Sequence, residues 1–199
     1  ETIESVITLE DFTIFFKLFC IFSFMNAFNM FDGIDLQASL YALTLLIILT
    51  AKSVYINFVI LIILQLIFIL YLNYKKKIFL GDSGSLLLSF LLGTLIIKSY
   101  NTNLDIFFAD EIFLIMMIPG LELLRLAVFR ILKKKHPFVA DNEHIHHYLL
   151  KKYSFFKTTL VIQSLYILPI VIYYTYKNIL FSILISFLFY SLIIFKNKS

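Results

Sequence analysis

VYINFVILIILQLIFILYLN, residues 54–73, runs for twenty residues without a charge, and Lys75, Lys76 and Lys77 follow almost at once. An α-helix rises about 1.5 Å per residue, so about 20 apolar residues cross the ~30 Å hydrocarbon layer of a bilayer. The stretch reads as a membrane-spanning helix with its cationic end among the headgroups. Outward from it lie further apolar stretches at 12–31, 37–51, 84–98, 111–132, 159–176 and 179–195, which makes about seven membrane helices. The stretches at 37–51 and 84–98 are short, so each is expected to borrow a turn from the motif before it. Composition agrees: 61% of the 199 residues are hydrophobic and 15% charged, whereas a soluble domain is about half apolar and a quarter charged. Five glycines and three prolines favour long helices over a barrel of alternating strands. The expected fold is all-α and polytopic, a single transmembrane domain over 1–199 with a polar loop at 133–158. Cys20 is the lone cysteine, so no disulfide framework exists.

Basic residues orient these helices. Lys75–Lys77, Arg130 with Lys133–Lys135, Lys151, Lys152, Lys157, Lys196 and Lys198 share one side, while Lys52, Lys98, Lys177 and the acids Asp105, Asp110 and Glu111 share the other. The positive-inside tendency makes the first side cytoplasmic. The formal net charge of +4 is then a topology signal, and nucleic acid is not an expected partner.

The polar residues gather on the basic side. Asn26, Asn29, Asp32 and Asp35 recur every third residue in NAFNMFDGID, a slowly drifting polar stripe on a helix. Asn and Asp beside Gly33 also terminate helices, but a cap accounts for one such residue and hardly for four in register. In FLGDSGS, Asp82 lies between glycines at the mouth of an apolar helix. It reads as an N-cap, or as a carboxylate holding Mg²⁺ beside free N–H groups that favour phosphate. HPFVADNEHIHHYLL carries His144, His146 and His147, whose spacing suits phosphate handling, with zinc as the alternative. Arg125, three residues after Glu122, forms either a buried ion pair or a phosphate contact. Carboxylates in membrane helices also occur in transporters, but there they lie near the midplane rather than at one face.

In order and spacing, NAFNMFDGID, FLGDSGSLLLSFLLG and HPFVADNEHIHH resemble the signatures of the polyprenyl-phosphate N-acetylhexosamine-1-phosphate transferases. That family includes the undecaprenyl-phosphate N-acetylglucosamine-1-phosphate and phospho-N-acetylmuramoyl-pentapeptide transferases. The resemblance implies transfer of a sugar 1-phosphate from a UDP-sugar to undecaprenyl or another polyprenyl phosphate, with release of UMP. It implies Mg²⁺, with Mn²⁺ as a substitute, and a site on the cytoplasmic face of a bacterial-type plasma membrane, at the first membrane step of cell-envelope polysaccharide synthesis. By the same resemblance Asp82 and Asp32 are metal-binding and catalytic, and Asp35 is catalytic and lies beside the nucleotide. Asn29, Gly33, Asn73 and Phe79 form the nucleotide pocket, with Phe79 stacking on uracil. Arg125, His144, His146 and His147 bind phosphate, and the histidines are catalytic as well. The form HIHH resembles the N-acetylhexosamine branch, and muramoyl-pentapeptide transfer is the alternative activity.

There are departures. The family's upstream pair of adjacent aspartates has no counterpart, its Gly-Leu after the second aspartate is Leu36-Gln37, and Glu122 stands where Asp is commoner. With the start ETIESV, the missing pair leads to the expectation of an N-terminally truncated chain, inactive by itself.

Overall fold

The computed structural model describes residues 9–52, 54–102, 108–136 and 142–198. It is helical throughout, with no strand among the described residues: α1 (Leu9–Phe31), α2 (Gln37–Ala51), α3 (Ile56–Tyr74), α4 (Gly81–Thr102), α5 (Ala109–Leu132), α6 (Ile145–Leu150), α7 (Phe155–Tyr176) and α8 (Ile179–Lys198). Residues 137–141 of the polar loop and Asp105 lie outside the described residues.

Five helices, α3, α4, α5, α7 and α8, are long and apolar enough to cross a membrane; α1, counted over Ile14–Met30, and α2 are shorter apolar helices. Of the two short stretches, only one borrows from its motif. Helix α4 starts at Gly81 and takes in GDSGS, whereas α2 keeps 15 residues, about 22 Å at the usual rise. The outer faces carry the apolar side chains that lipid would cover. On α8, Leu180, Leu184 and Leu188 form an exposed stripe one helical turn apart, a surface that water would penalise.

Inside, α1 packs on α4 and α5, α2 on α3, α4 and α7, and α7 on α5 and α8. Phe28, Tyr41, Leu45, Leu46, Leu92 and Ile118 are almost fully enclosed. The Tyr41 hydroxyl in this core has a task. Pro119 within α5 has no N–H to offer the carbonyl of Ile115 four residues earlier, and Tyr41 Oη donates to that oxygen at 2.9 Å.

Helices α3 and α5 both end in three lysines with the middle one left-handed, Lys76 at φ 54° and Lys134 at φ 56°. Lys77 N–H bonds Leu72 O, and Lys135 N–H bonds Arg130 O, so each helix closes its last carbonyls in a Schellman turn. The ends sort as the charges predict. At the mouth away from these lysines, Lys52 bonds Glu111 at 2.8 Å, Tyr174 donates to the same carboxylate, and Lys98 lies over the Tyr55 ring.

Candidate active site

Three stretches far apart in the chain meet at the lysine-bearing mouth. Asn29, in the last turn of α1, reaches α4: its Nδ2 donates to Asp82 Oδ1 at 3.1 Å and to Ser85 Oγ at 2.8 Å. The Asp32 carboxylate accepts the backbone N–H of Gly81. Gly81 has φ +65°, and a Cβ there would lie 3.1 Å from the Phe79 ring, so glycine lets the chain turn into α4 here without backbone strain. The turn leaves Asp82 in the first turn of α4, where unpaired N–H groups favour negative charge.

The third stretch closes over the first. A Cβ at Gly33 would fall 2.8 Å from Cε1 and Nε2 of His146, so the imidazole lies directly on the Gly33 backbone. His146 is 4% exposed, and its buried Nε2 has no hydrogen-bond partner among the described residues. Burial, helped by the neighbouring His147 and His144, pushes its pKa down to about 3, so the ring is neutral at pH 7. His144 stacks on His146 with centroids 5.2 Å apart, and His144 Nε2 is 3.5 Å from Arg130 Nη2.

Between these groups lies an open cleft of about 1160 Å³. Asn29, Asp32, Asp82, Arg130 and the three histidines line its polar end, while Phe19, Phe22, Leu123 and Leu124 carry it into the apolar part of the bundle. Phe79, 79% exposed, stands at the rim. Desolvation first, then the charges of Asp82 and Asp35, raises the Asp32 pKa to about 6, against the opposing bond from Gly81. Among the described residues neither Asp32 nor Asp82 forms an ion pair. Two such carboxylates suit Mg²⁺, which typically takes one or two from the protein and keeps water or phosphate oxygens for the rest. No group of three or more His, Cys, Asp or Glu among the described residues, the histidines and the carboxylates alike, is arranged to hold a metal by itself.

The remaining expected residues lie outside the cleft. Asp35 is exposed beyond the rim, 3.5 Å from Asn73 Nδ2. Asn73 is 4% exposed and works as a staple: Oδ1 accepts Leu36 N–H at 2.6 Å, and Nδ2 donates to Ile78 O at 2.9 Å. It holds the turn before α2 against the turn after α3. Leu36, the departure from the family's glycine, has φ 69°, so a left-handed residue is needed here and leucine supplies it under strain. Arg125 points away from the cleft into a pair with Glu122 at 2.8 Å, the ion-pair reading of its spacing. Arg130 is the cationic residue that lines the cleft. In the sequence it merges with the lysine run as a topology signal; only its place inside the last turn of α5 distinguishes it.

A bundle of apolar helices with an acidic, histidine-lined cleft at one mouth defines a multi-pass membrane protein whose polar site lies at its helix ends. Residues 2–100 match the family model described as glycosyl transferase family 4, and the chain belongs to that family. It is 34% identical over 145 residues to a phospho-N-acetylmuramoyl-pentapeptide-transferase of Petrotoga mobilis, covering 72% of this chain and 45% of the relative. It is 28% identical over 154 residues to an undecaprenyl-phosphate alpha-N-acetylglucosaminyl 1-phosphate transferase of Escherichia coli, covering 72% and 42%. A Thermotoga maritima protein of the same description is 29% identical over 164 residues, covering 82% and 52%. The chain thus spans about half the length of the relatives it matches. No solved structure matches it.

Proposed function

We propose that this cleft takes part in moving a sugar 1-phosphate from a UDP-sugar to a polyprenyl phosphate, giving a polyprenyl-diphospho-sugar and UMP. The observation that carries the reading is the contact between separate motifs: Asn29 bonded to Asp82, and His146 laid on Gly33. A folded bundle has no packing reason to place two acids, an arginine and three histidines around one open space. Their types match what diphosphate chemistry requires, which is mostly alignment and charge neutralisation rather than covalent work by the protein.

In this reading Asp82 and Asp32 hold Mg²⁺, which when bound neutralises phosphate charge. Arg130, with His144 beside it, binds phosphate oxygens from the opposite wall. Neutral His146 orients them through Nε2, which has no partner among the described residues. The exposed Phe79 ring offers a flat face to uracil, and Asp35, held by Asn73, lies on that side. The apolar end of the cleft accepts the first isoprene units, which brings the lipid phosphate up to the polar end. One of its oxygens attacks the sugar-bearing phosphorus, the bond from that phosphorus to the bridging oxygen breaks, and UMP departs. The site faces the cytoplasm, because the lysine-rich mouth does.

The test is transfer of radiolabelled sugar from UDP-N-acetylglucosamine to undecaprenyl phosphate by membranes carrying the complete gene product. Lipid-linked product with release of UMP is expected. Product only from UDP-N-acetylmuramoyl-pentapeptide would assign the other branch, and absence of both would refute the reading.

A further inference from the structure

Glu122 does not line the cleft, yet it holds one of the cleft's walls. It is 2% exposed, and its carboxylate accepts four hydrogen bonds from three parts of the chain. Oε1 takes Arg125 Nη2 at 2.8 Å and the backbone N–H of Ile145 at 2.8 Å. Oε2 takes Arg125 Nε at 2.9 Å and the hydroxyl of Tyr190 in α8. Ile145 is the first residue of α6, and His144 before it makes no side-chain cap. The N–H that opens α6 is therefore satisfied by a carboxylate from another helix, where the peptide dipoles favour negative charge. Arg125 secures the other side of the junction, donating to Glu143 O at 2.6 Å.

We propose that Glu122 and Tyr190 are positioning residues for the histidine cluster. They fix where α6 begins and how it is rotated, and so place His144, His146 and His147 on the cleft. Through Tyr190, 5% exposed, α8 takes part in the geometry of a site it does not line. The tether itself is independent of any activity; its consequence for turnover rests on the transferase reading above.

Tyr190→Phe and Glu122→Gln test this in the complete gene product, read by amide hydrogen exchange and by sugar transfer. Tyr190→Phe keeps the ring and its packing, so it serves even where Glu122→Gln fails to fold. Exchange at residues 145–148 is expected to quicken tenfold or more while α2 and α4 stay unchanged. Transfer is expected to fall about tenfold, and His146→Asn added to Tyr190→Phe should cost less than His146→Asn does alone. Exchange that is unchanged at 145–148, or faster throughout the bundle, overturns the tether. Loosened α6 with undiminished transfer, or with fully multiplicative losses in the double variant, overturns the positioning role. Absence of transfer from the unsubstituted protein overturns the proposed function instead, and exchange alone then decides the tether.

Discussion

The imidazole of His146 occupies the space a side chain on residue 33 would need, with Cε1 and Nε2 2.8 Å from the position of its Cβ. The two residues are 113 positions apart in the chain, and each belongs to a motif that looks self-contained in the sequence. Gly33→Ala should therefore act through His146, because no left-handed backbone is involved at this position. We expect transfer to fall at least tenfold and the melting temperature in detergent to drop by about 2–4 °C. Adding His146→Asn should recover the melting temperature without recovering transfer. A Gly33→Ala protein with ordinary turnover would show that the contact is slack.

Asp82→Asn should abolish transfer while leaving membrane insertion intact. The amide keeps the bond to Asn29 within reach but removes a charge from the metal pair. Mg²⁺ titration followed by calorimetry, alongside the transfer assay, should show both affinity and turnover lost. Near-normal Mg²⁺-dependent turnover would remove Asp82 from the metal site.

Burial raises the Asp32 carboxyl from its ordinary pKa of 3.8 to about 6 in the folded protein, so between those values the folded protein holds the extra proton. Its contribution to stability is present below pH 3.8 and is lost as pH rises through 6. In the absence of divalent cations, Asp32→Asn should melt higher than the parent at pH 7.5 and alike at pH 4. Mg²⁺ should close the gap at pH 7.5 by compensating the ionised pair. A difference that is independent of pH would show that desolvation of Asp32 does not govern it.

Leu36→Gly should stabilise the fold. A left-handed leucine costs roughly 1–2 kcal/mol, and glycine's greater freedom in the unfolded chain returns ~0.5–1 kcal/mol of the gain. The net of roughly 0.5–1 kcal/mol corresponds to a rise of about 2–4 °C per kcal/mol in a chain of this size. Leu36→Ala should give no such rise, since it keeps the strained backbone; equal gains from both would place the strain elsewhere.

Cysteines placed at Lys76 and Asn142, with Cys20 replaced, should react with an impermeant reagent from the cytoplasmic side only. One placed at Lys177 should react from the opposite side. Labelling of the first two from different faces would separate residues that the cleft requires on one face.

Much of this was legible in the sequence because it depends on period and charge. The length of 54–73 and the lysines after it identify a candidate span and its basic end. The three-residue recurrence through Asn26, Asn29 and Asp32, and Asp82 at a helix mouth, mark residues that the cleft brings together, while Asp35, the last of the series, lies beyond its rim. What stayed hidden depends on contacts between distant positions. Nothing local shows that Asn73 turns inward to hold Leu36, or that Glu122 caps a helix beginning 23 residues later. Arg125 and Arg130 are alike in a sequence; on a helix, five residues put them about 140° apart, so one meets Glu122 and Tyr190 while the other faces the cleft.

Helix α2 bears on the membrane as well as on the site. At about 22 Å it is short of the ~30 Å hydrocarbon layer, and it cannot slide to share the deficit. Asn73 holds the turn at its start, and the Lys52–Glu111 pair holds its end. Within α2 only Ile47 and Ala51 are exposed, so the longer helices packed around it, rather than lipid, cover most of its shortfall. The turn that carries Asp32 and Asp35 is thereby held at one depth, the depth at which, in the proposed reaction, an anchored phosphate has to meet the carboxylates.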